Sequence, residues 1–146
     1  MYEINVDSPQ EELKRADHLV YVSLKYTRTC DIMKNAIKRM IASYELSMIA
    51  YLESLRKNKK IADVPGTAKE RSILVKNLLG NAAKKYFALY NLLKKIDKAE
   101  YTASEEFRKN VALTTKTSKP LIVKVDDLYE YLDKTKEFVK FIYDKI

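Results

Sequence analysis

Histidine and cysteine, which most often form zinc sites and activated nucleophiles, are rare in this sequence of 146 residues. The sequence contains one histidine, His18, and one cysteine, Cys30. A zinc site needs several converging ligands, and a Ser-His-Asp or Cys-His nucleophile would have to use His18. His18 lies beside Asp17 in a predicted helix, and we interpret it as a bystander. We therefore predict no catalytic residue.

Carboxylates form the other candidate site, in the predicted last helix. Four of them lie at i, i+4, i+7 and i+11, namely Asp126, Glu130, Asp133 and Glu137. Such a row offers oxygen ligands to a divalent cation, but Lys134 and Lys140 lie within one turn and compete for them. We interpret the row as a solvated or docking face and predict no metal. An enzyme with an unfamiliar site would have to use this row or Asp17, Glu70 and Arg71.

Phosphate-binding glycine loops are also missing from the sequence. Gly66 and Gly80 are its two glycines, and neither has the neighbours of a Walker or dinucleotide-binding motif. We therefore predict no cofactor.

Lysine and arginine clusters are the most marked feature of the sequence. The net charge is +8, and the basic residues concentrate in segments 25–60, 84–98 and 108–124. Basic clusters together with tyrosines are typical of surfaces that hold nucleic acid by phosphate contacts and base stacking. We predict that such a surface contains Arg56, Lys57, Lys59, Lys60, Lys84, Lys85, Lys94, Lys95, Arg108 and Lys109.

A purely structural explanation of these residues stays open. Cations at 56–60 close a predicted helix, where the helix dipole favours positive charge. Most of the 11 tyrosines occupy helical positions that predict core packing.

The elements that must position these residues are mainly helices. Apolar residues recur every 3.6 residues on average from Leu19 to Leu55, through Val22, Tyr26, Cys30, Met33, Ile37, Met40, Tyr44, Met48 and Tyr51. Ser8 and Pro9 favour a helix start, after a short extended or frayed arm over 1–7. One helix over 9–58 would be about 75 Å long, so we predict a break at 26–29.

The remaining elements follow from turn residues and apolar spacing. We predict a loop at 58–66, a helix from Thr67 to Leu79 ended by Gly80, and a helix over 82–97. A β-hairpin joins 111–115 to 121–125, and Asp126 caps the last helix. Its buried face is predicted to be Leu128, Tyr131, Leu132, Thr135, Phe138, Val139, Ile142 and Ile146.

This pattern predicts an all-α fold, an antiparallel four- to five-helix bundle with a small β-hairpin before the last helix, as one domain over 1–146. Cys30 lies on the apolar face, which predicts a buried, inert thiol. With one cysteine, no signal peptide and no apolar run near 18 residues, the sequence predicts a soluble cytoplasmic protein away from membranes.

Three segments carry a family resemblance. Segment 35–44 has an alanine, basic residues, a second alanine and a tyrosine; segment 65–80 runs from Pro-Gly to Leu-Leu-Gly; and segment 89–101 ends in Ala-Glu-Tyr. In this order they resemble the second helix, short third helix and tyrosine-containing helix of the HEPN superfamily, helical bundles of prokaryotic toxin–antitoxin and defence modules. Segment 126–146 would be the closing helix.

The resemblance implies an antiparallel bundle that often dimerises and that binds RNA, a nucleotide or another protein. Catalytic members have an arginine, four to six intervening residues and then a histidine, and they cleave RNA without a metal. Arg15 precedes His18 by three residues, so this activity is not implied. We expect a non-catalytic dimer that binds RNA, a nucleotide or a cognate protein. The alternative is a structural module whose acidic last helix docks on basic helices of a neighbour.

Overall fold

Helices dominate the computed structural model, which describes residues 8–146; the arm predicted over 1–7 lies outside the described residues. The first helical segment consists of α1 (Pro9–His18), a π-helical turn (Leu19–Ser23) and α2 (Leu24–Tyr26). The other helices are α3 (Cys30–Lys57), α4 (Ala68–Leu79), a 3₁₀ turn (Gly80–Ala83), α5 (Lys84–Lys98) and α6 (Val125–Tyr143). A mostly helical fold is therefore confirmed. No helix within 8–146 has the length and apolar character that a membrane crossing requires.

Short polar side chains begin three of these helices, as their positions predict. Ser8 Oγ accepts a hydrogen bond from the Glu11 N–H at 3.1 Å, and Thr67 Oγ1 accepts one from the Glu70 N–H at 3.2 Å. Thr29 caps α3 in the same way, with extended backbone at φ −121°. Gly80 ends α4 with φ +66°, a conformation that L-residues rarely adopt. Helix α2 ends at Tyr26 and α3 begins at Cys30, so the break predicted at 26–29 is confirmed.

The buried face of the first segment differs from the one that the apolar spacing predicts. Val22 is 40% exposed and Tyr26 is 80% exposed, whereas Val20 and Leu24 are buried. The π-helical turn adds about one residue per turn and so rotates the buried face. The stripe is therefore correct in α3, from Cys30 to Tyr51, whereas before the break Leu19 packs partly buried against the core and Val22 and Tyr26 do not follow the prediction.

The core surrounds α3, which packs against α1, α4, α5 and α6. An aromatic cluster fills its centre: the Tyr44 ring stacks on Phe138 with centroids 4.6 Å apart, and Tyr90 lies 5.4 Å from Tyr44. Phe87 meets Phe138 edge-on at 6.0 Å. These rings bury a large apolar area, so they fix how α3, α5 and α6 pack together.

A three-stranded antiparallel sheet precedes the last helix, in the order β1 (Tyr101–Ser104), β2 (Ala112–Thr115) and β3 (Ile122–Lys124). The predicted hairpin corresponds to β2 and β3. Strand β1 is not predicted by the sequence, where its first residue is read as the end of a helix turn. Tyr101 pairs with Thr115 and Ser104 pairs with Ala112, so β2 provides the partner that makes this short polar segment a strand.

Helix α6 differs from the sequence prediction at three residues. Asp126 does not cap the helix, because the helix begins at Val125 and its N-cap is Lys124, two residues before Asp126; the Lys124 N–H donates to Asp127 Oδ2 at 2.9 Å. Ile146 is exposed since the helix ends at Tyr143, and Tyr131 is only half-buried. The other predicted core positions of α6 are buried, namely Leu128, Leu132, Thr135, Phe138, Val139 and Ile142.

A pair of substitutions tests the face that the first segment buries. Leu24→Ala should lower the free energy of unfolding by about 2–5 kcal/mol, because it leaves a cavity at a buried position. Val22→Ala should change it by no more than about 0.5 kcal/mol, because that side chain is largely exposed. Urea unfolding followed by circular dichroism measures both. If Val22→Ala lowered the free energy of unfolding more than Leu24→Ala did, Val22 would belong to the buried face, as the uninterrupted apolar spacing predicts.

Candidate nucleic-acid interface

Two adjoining depressions lie beside the helix break and form one groove. Their volumes are about 320 and 220 Å³, and both are lined by Arg28, Val125 and Tyr129. The first segment contributes to the larger one, and the linker after β1 and the end of β3 contribute to the smaller one. The remaining lining residues are Val20, Tyr21, Leu24, Lys25, Lys109, Asn110, Lys124 and Asp126. We call this site the break groove.

The break groove carries an excess of positive charge. Four of its lining residues are cations, Lys25, Arg28, Lys109 and Lys124, against a single carboxylate, Asp126. Within residues 8–146, none of these four cations has a carboxylate oxygen within 4.0 Å. Unpaired cations that share a groove raise the local concentration of anions, so the site favours a negatively charged ligand.

Tyrosine rings form the aromatic part of the groove. Tyr21 and Tyr129 lie with ring centroids 4.9 Å apart and planes inclined by 32°. Lys136 Nζ lies 6.0 Å from the Tyr21 centroid and 2.7 Å from Asp17 Oδ2, which holds it over that ring. Tyr21 is 46% exposed, so part of its ring is accessible to an aromatic or planar ligand.

The loop between β1 and β2 fixes the backbone of the break. The Phe107 N–H donates to the Arg28 carbonyl at 2.7 Å, and the Cys30 N–H donates to Glu106 Oε2 at 2.9 Å. These two contacts satisfy backbone groups that the end of one helix and the start of the next leave free. Arg28 is therefore held by tertiary contacts rather than by a helix.

The Cys30 thiol lies under the same loop. It is buried, as predicted, and donates to the Ala112 carbonyl at 3.3 Å. Burial, and then the carboxylates of Glu106 and Asp31, raise the pKa of this thiol to about 11. The thiol is consequently protonated at neutral pH and is a poor nucleophile.

Backbone strain is concentrated in that loop. Glu105 and Phe107 adopt φ values of +54° and +67°, which are unusual for residues with a side chain. Phe107 is also 73% exposed, so packing of its ring does not explain the conformation. Tyr26, two residues before Arg28, is 80% exposed. Strained residues cluster at functional sites, and here strain and two exposed rings adjoin the break.

The ten residues predicted to bind nucleic acid are separated by the fold. Lys109 lines the break groove, and the neighbouring Arg108 lies 3.7 Å from Glu105. The cluster at the end of α3, about 40 Å along the helix from the break, comprises Arg56, Lys57, Lys59 and Lys60. The exposed or half-exposed residues of α5 are Lys84, Lys85, Lys94 and Lys95.

Several of these predicted cations already have carboxylate partners. Arg56 bonds Glu53 at 2.9 Å, Lys85 lies 3.6 Å from Glu137, and Lys94 lies 3.8 Å from Glu45. Glu137 and Glu45 are distant in sequence, so charge counting along the chain does not reveal these pairs. Partnered cations attract an anionic ligand less strongly than the free ones of the break groove.

Three cations and both tyrosines of the groove are missing from the sequence prediction. Lys124 is one of the basic residues along the predicted hairpin, whereas no local cluster distinguishes Lys25 and Arg28 within their basic segment. The sequence signal that could indicate Arg28 is the predicted break. An arginine that lies between two threonines at the end of a helix does not belong to the packed face of that helix.

The other candidate groups lie apart from one another. His18 is exposed on α1, with Nδ1 3.5 Å from Ser23 Oγ. Glu70 Oε1 accepts from the Thr67 hydroxyl at 2.8 Å, and Arg71 Nη1 donates to the Pro65 carbonyl at 3.1 Å. Across residues 8–146, no three histidine, cysteine or acidic side chains are placed to hold a metal ion.

No protein-family model, curated protein or solved structure matches this chain. The resemblance to the HEPN superfamily therefore stays a prediction.

Replacing Phe107 tests the strain in the loop. Phe107→Gly should raise the free energy of unfolding by about 1 kcal/mol, because glycine adopts φ +67° without a steric penalty. Phe107→Ala removes the same ring but keeps the strain, so it should not stabilise the chain. Thermal unfolding of both variants measures the difference. Equal stability of the two would show that the positive φ stores no energy.

Proposed function

We propose that the chain binds single-stranded RNA in the break groove. The observation that carries this proposal is that four cations without ion-pair partners in 8–146 line the same groove as the Tyr21–Tyr129 pair. Cations hold the phosphates of a nucleic acid, and aromatic rings stack on its bases. RNA is the nucleic acid that the family resemblance implies.

A single strand fits this site better than a duplex. Stacking on Tyr21 requires a free base face, which paired bases in a helix do not offer. The two depressions, of about 320 and 220 Å³, are also small openings beside a helix end rather than a long cleft. We therefore place one or two unstacked bases in the groove, with their phosphates along Lys25, Arg28, Lys109 and Lys124.

The proposal concerns binding and not catalysis. Phosphate contacts and base stacking account for the lysines, the arginine and the tyrosines that line the groove, while Cys30 beneath it stays protonated. Dimerisation through the acidic face of α6, or binding to a cognate protein, remains a prediction of the sequence. Glu130 and Asp133 on that face are exposed.

Removing two of the groove cations tests the phosphate contacts. The double variant Lys25→Gln and Arg28→Gln should bind a short labelled single-stranded RNA more weakly and with less salt dependence. The slope of log K against log salt should fall by about 1.4, at about 0.7 for each lost contact. Fluorescence anisotropy at several salt concentrations measures this slope.

A matched control removes the same charge elsewhere. Lys57→Gln with Lys59→Gln takes two cations from the end of α3 and should keep the wild-type slope. Equal losses in both double variants would indicate attraction by net charge alone, which contradicts a site in the groove.

Replacing a ring tests the base stacking. Tyr21→Leu keeps an apolar side chain but removes the aromatic face, and it should lower affinity about 5- to 150-fold, or about 1–3 kcal/mol. Tyr143→Leu, at an exposed tyrosine outside the groove, is the control and should bind as the wild type does. An RNA analogue without bases should not distinguish the two variants; a difference with this analogue would argue against stacking.

A further inference from the structure

A second depression lies between α1 and α3 and shares no lining residue with the break groove. Its volume is about 340 Å³, and its polar lining includes Lys14 and His18 from α1 and Asn35 and Arg39 from α3. We call it the α1–α3 pocket. The family resemblance and the proposed RNA site leave these side chains without a role.

A buried carboxylate holds the guanidinium groups of this pocket. Glu12 is only 4% exposed, and Arg39 Nη1 lies 3.3 and 3.4 Å from its two oxygens. Arg15 Nη1 lies 3.5 Å from Glu12 Oε1 on the other side. A buried carboxylate needs such partners, so Glu12 anchors the arginine side chains from beneath. Arg39 meets Glu12 through Nη1 alone, which leaves Nη2 and Nε without an acceptor among the described residues.

Further donors lie on the same two helix faces. Asn35 precedes Arg39 by one turn of α3, and Lys14 precedes His18 by one turn of α1. His18 uses Nδ1 toward Ser23, so Nε2 remains for a ligand. Lys14 Nζ lies 3.2 Å from Glu11, an exposed pair that water screens strongly.

The side-chain donors of the pocket suit an anion. Among the described residues, the cations Lys14, Arg15 and Arg39 and the carboxylates Glu11 and Glu12 meet there. The planar edge of a guanidinium matches two oxygens of a tetrahedral phosphate, and the Asn35 amide and the His18 ring supply single N–H donors to it.

We propose that the α1–α3 pocket binds the phosphate group of a small phosphate monoester. The volume of about 340 Å³ is near the lower end of the range of about 300–1,000 Å³ for small-molecule sites, which leaves space beyond the phosphate for a short organic group. This site is independent of the break groove, since the two have no side chain in common.

Calorimetric titration of the full chain tests the site with four probes: glycerol 3-phosphate, inorganic phosphate, glycerol and acetate. Glycerol 3-phosphate should bind saturably and more tightly than inorganic phosphate, and glycerol should not bind. Stronger binding of inorganic phosphate would show that the pocket prefers free phosphate, which contradicts the proposal of a phosphate monoester. Acetate binding as tightly as glycerol 3-phosphate would indicate general attraction of anions and would also overturn the proposal.

Substitutions locate the site. Asn35→Leu removes one donor without touching Glu12 and should weaken glycerol 3-phosphate binding about tenfold. Arg39→Lys keeps the charge beside Glu12 but loses the planar edge, so it should also bind more weakly. Lys38→Gln is the control: Lys38 lies 3.3 Å from Asp97 outside the pocket, and its loss should leave affinity unchanged.

Two outcomes separate this pocket from the RNA site. The double variant Lys25→Gln and Arg28→Gln should bind glycerol 3-phosphate as the wild type does, even if it loses RNA. Should that variant lose the phosphate while Asn35→Leu retains it, the phosphate would belong to the break groove and the proposed pocket would be wrong.

Discussion

The reversal of the chain between Tyr26 and Cys30 releases backbone N–H and C=O groups that must find partners elsewhere. The loop before β2 supplies them: the Arg28 carbonyl accepts from the Phe107 N–H, and Glu106 accepts from the Cys30 N–H. Without the reversal, the first segment could not fold back on α3 and bury Val20 and Leu24. Helix packing, sheet position and groove therefore depend on the same few hydrogen bonds.

Local chemistry accounts for the parts of the fold that the sequence predicts well. Caps at Ser8, Thr29 and Thr67 act over three residues, and the φ of Gly80 is a property of that residue alone. The exposed Val22 shows where such reasoning ends. A π-helical turn has no clear local signal, because it arises when tertiary packing accommodates an extra residue, and the spacing of apolar residues cannot show it. The sequence does not predict strand β1 for a related reason: this segment is a strand only because it pairs with β2.

Basic clusters are visible in the sequence, but the place where the fold gathers basic side chains is not. Lysine and arginine clusters favour an anionic partner, yet Lys85 and Lys94 lie 3.6 and 3.8 Å from acids that are remote in sequence. The break groove gathers side chains from three separate stretches, around residues 21–28, 109–110 and 124–129. Proximity of this kind is a result of the fold, so a survey of local charge density finds single members such as Lys109 and overlooks Arg28.

The linker of residues 105–111 also limits how the chain can vary in length. It crosses the start of the longest helix and supplies a cap to it, whereas the loop at 58–66 joins α3 to α4 with its own side chains mostly exposed. An inserted residue at 58–66 would be absorbed by solvent-facing backbone. The same insertion at 105–111 would pull Glu106 away from Cys30 and displace the start of α3, the helix that α1, α4, α5 and α6 pack against. Relatives of this chain should therefore differ in length at the first loop and keep the second constant.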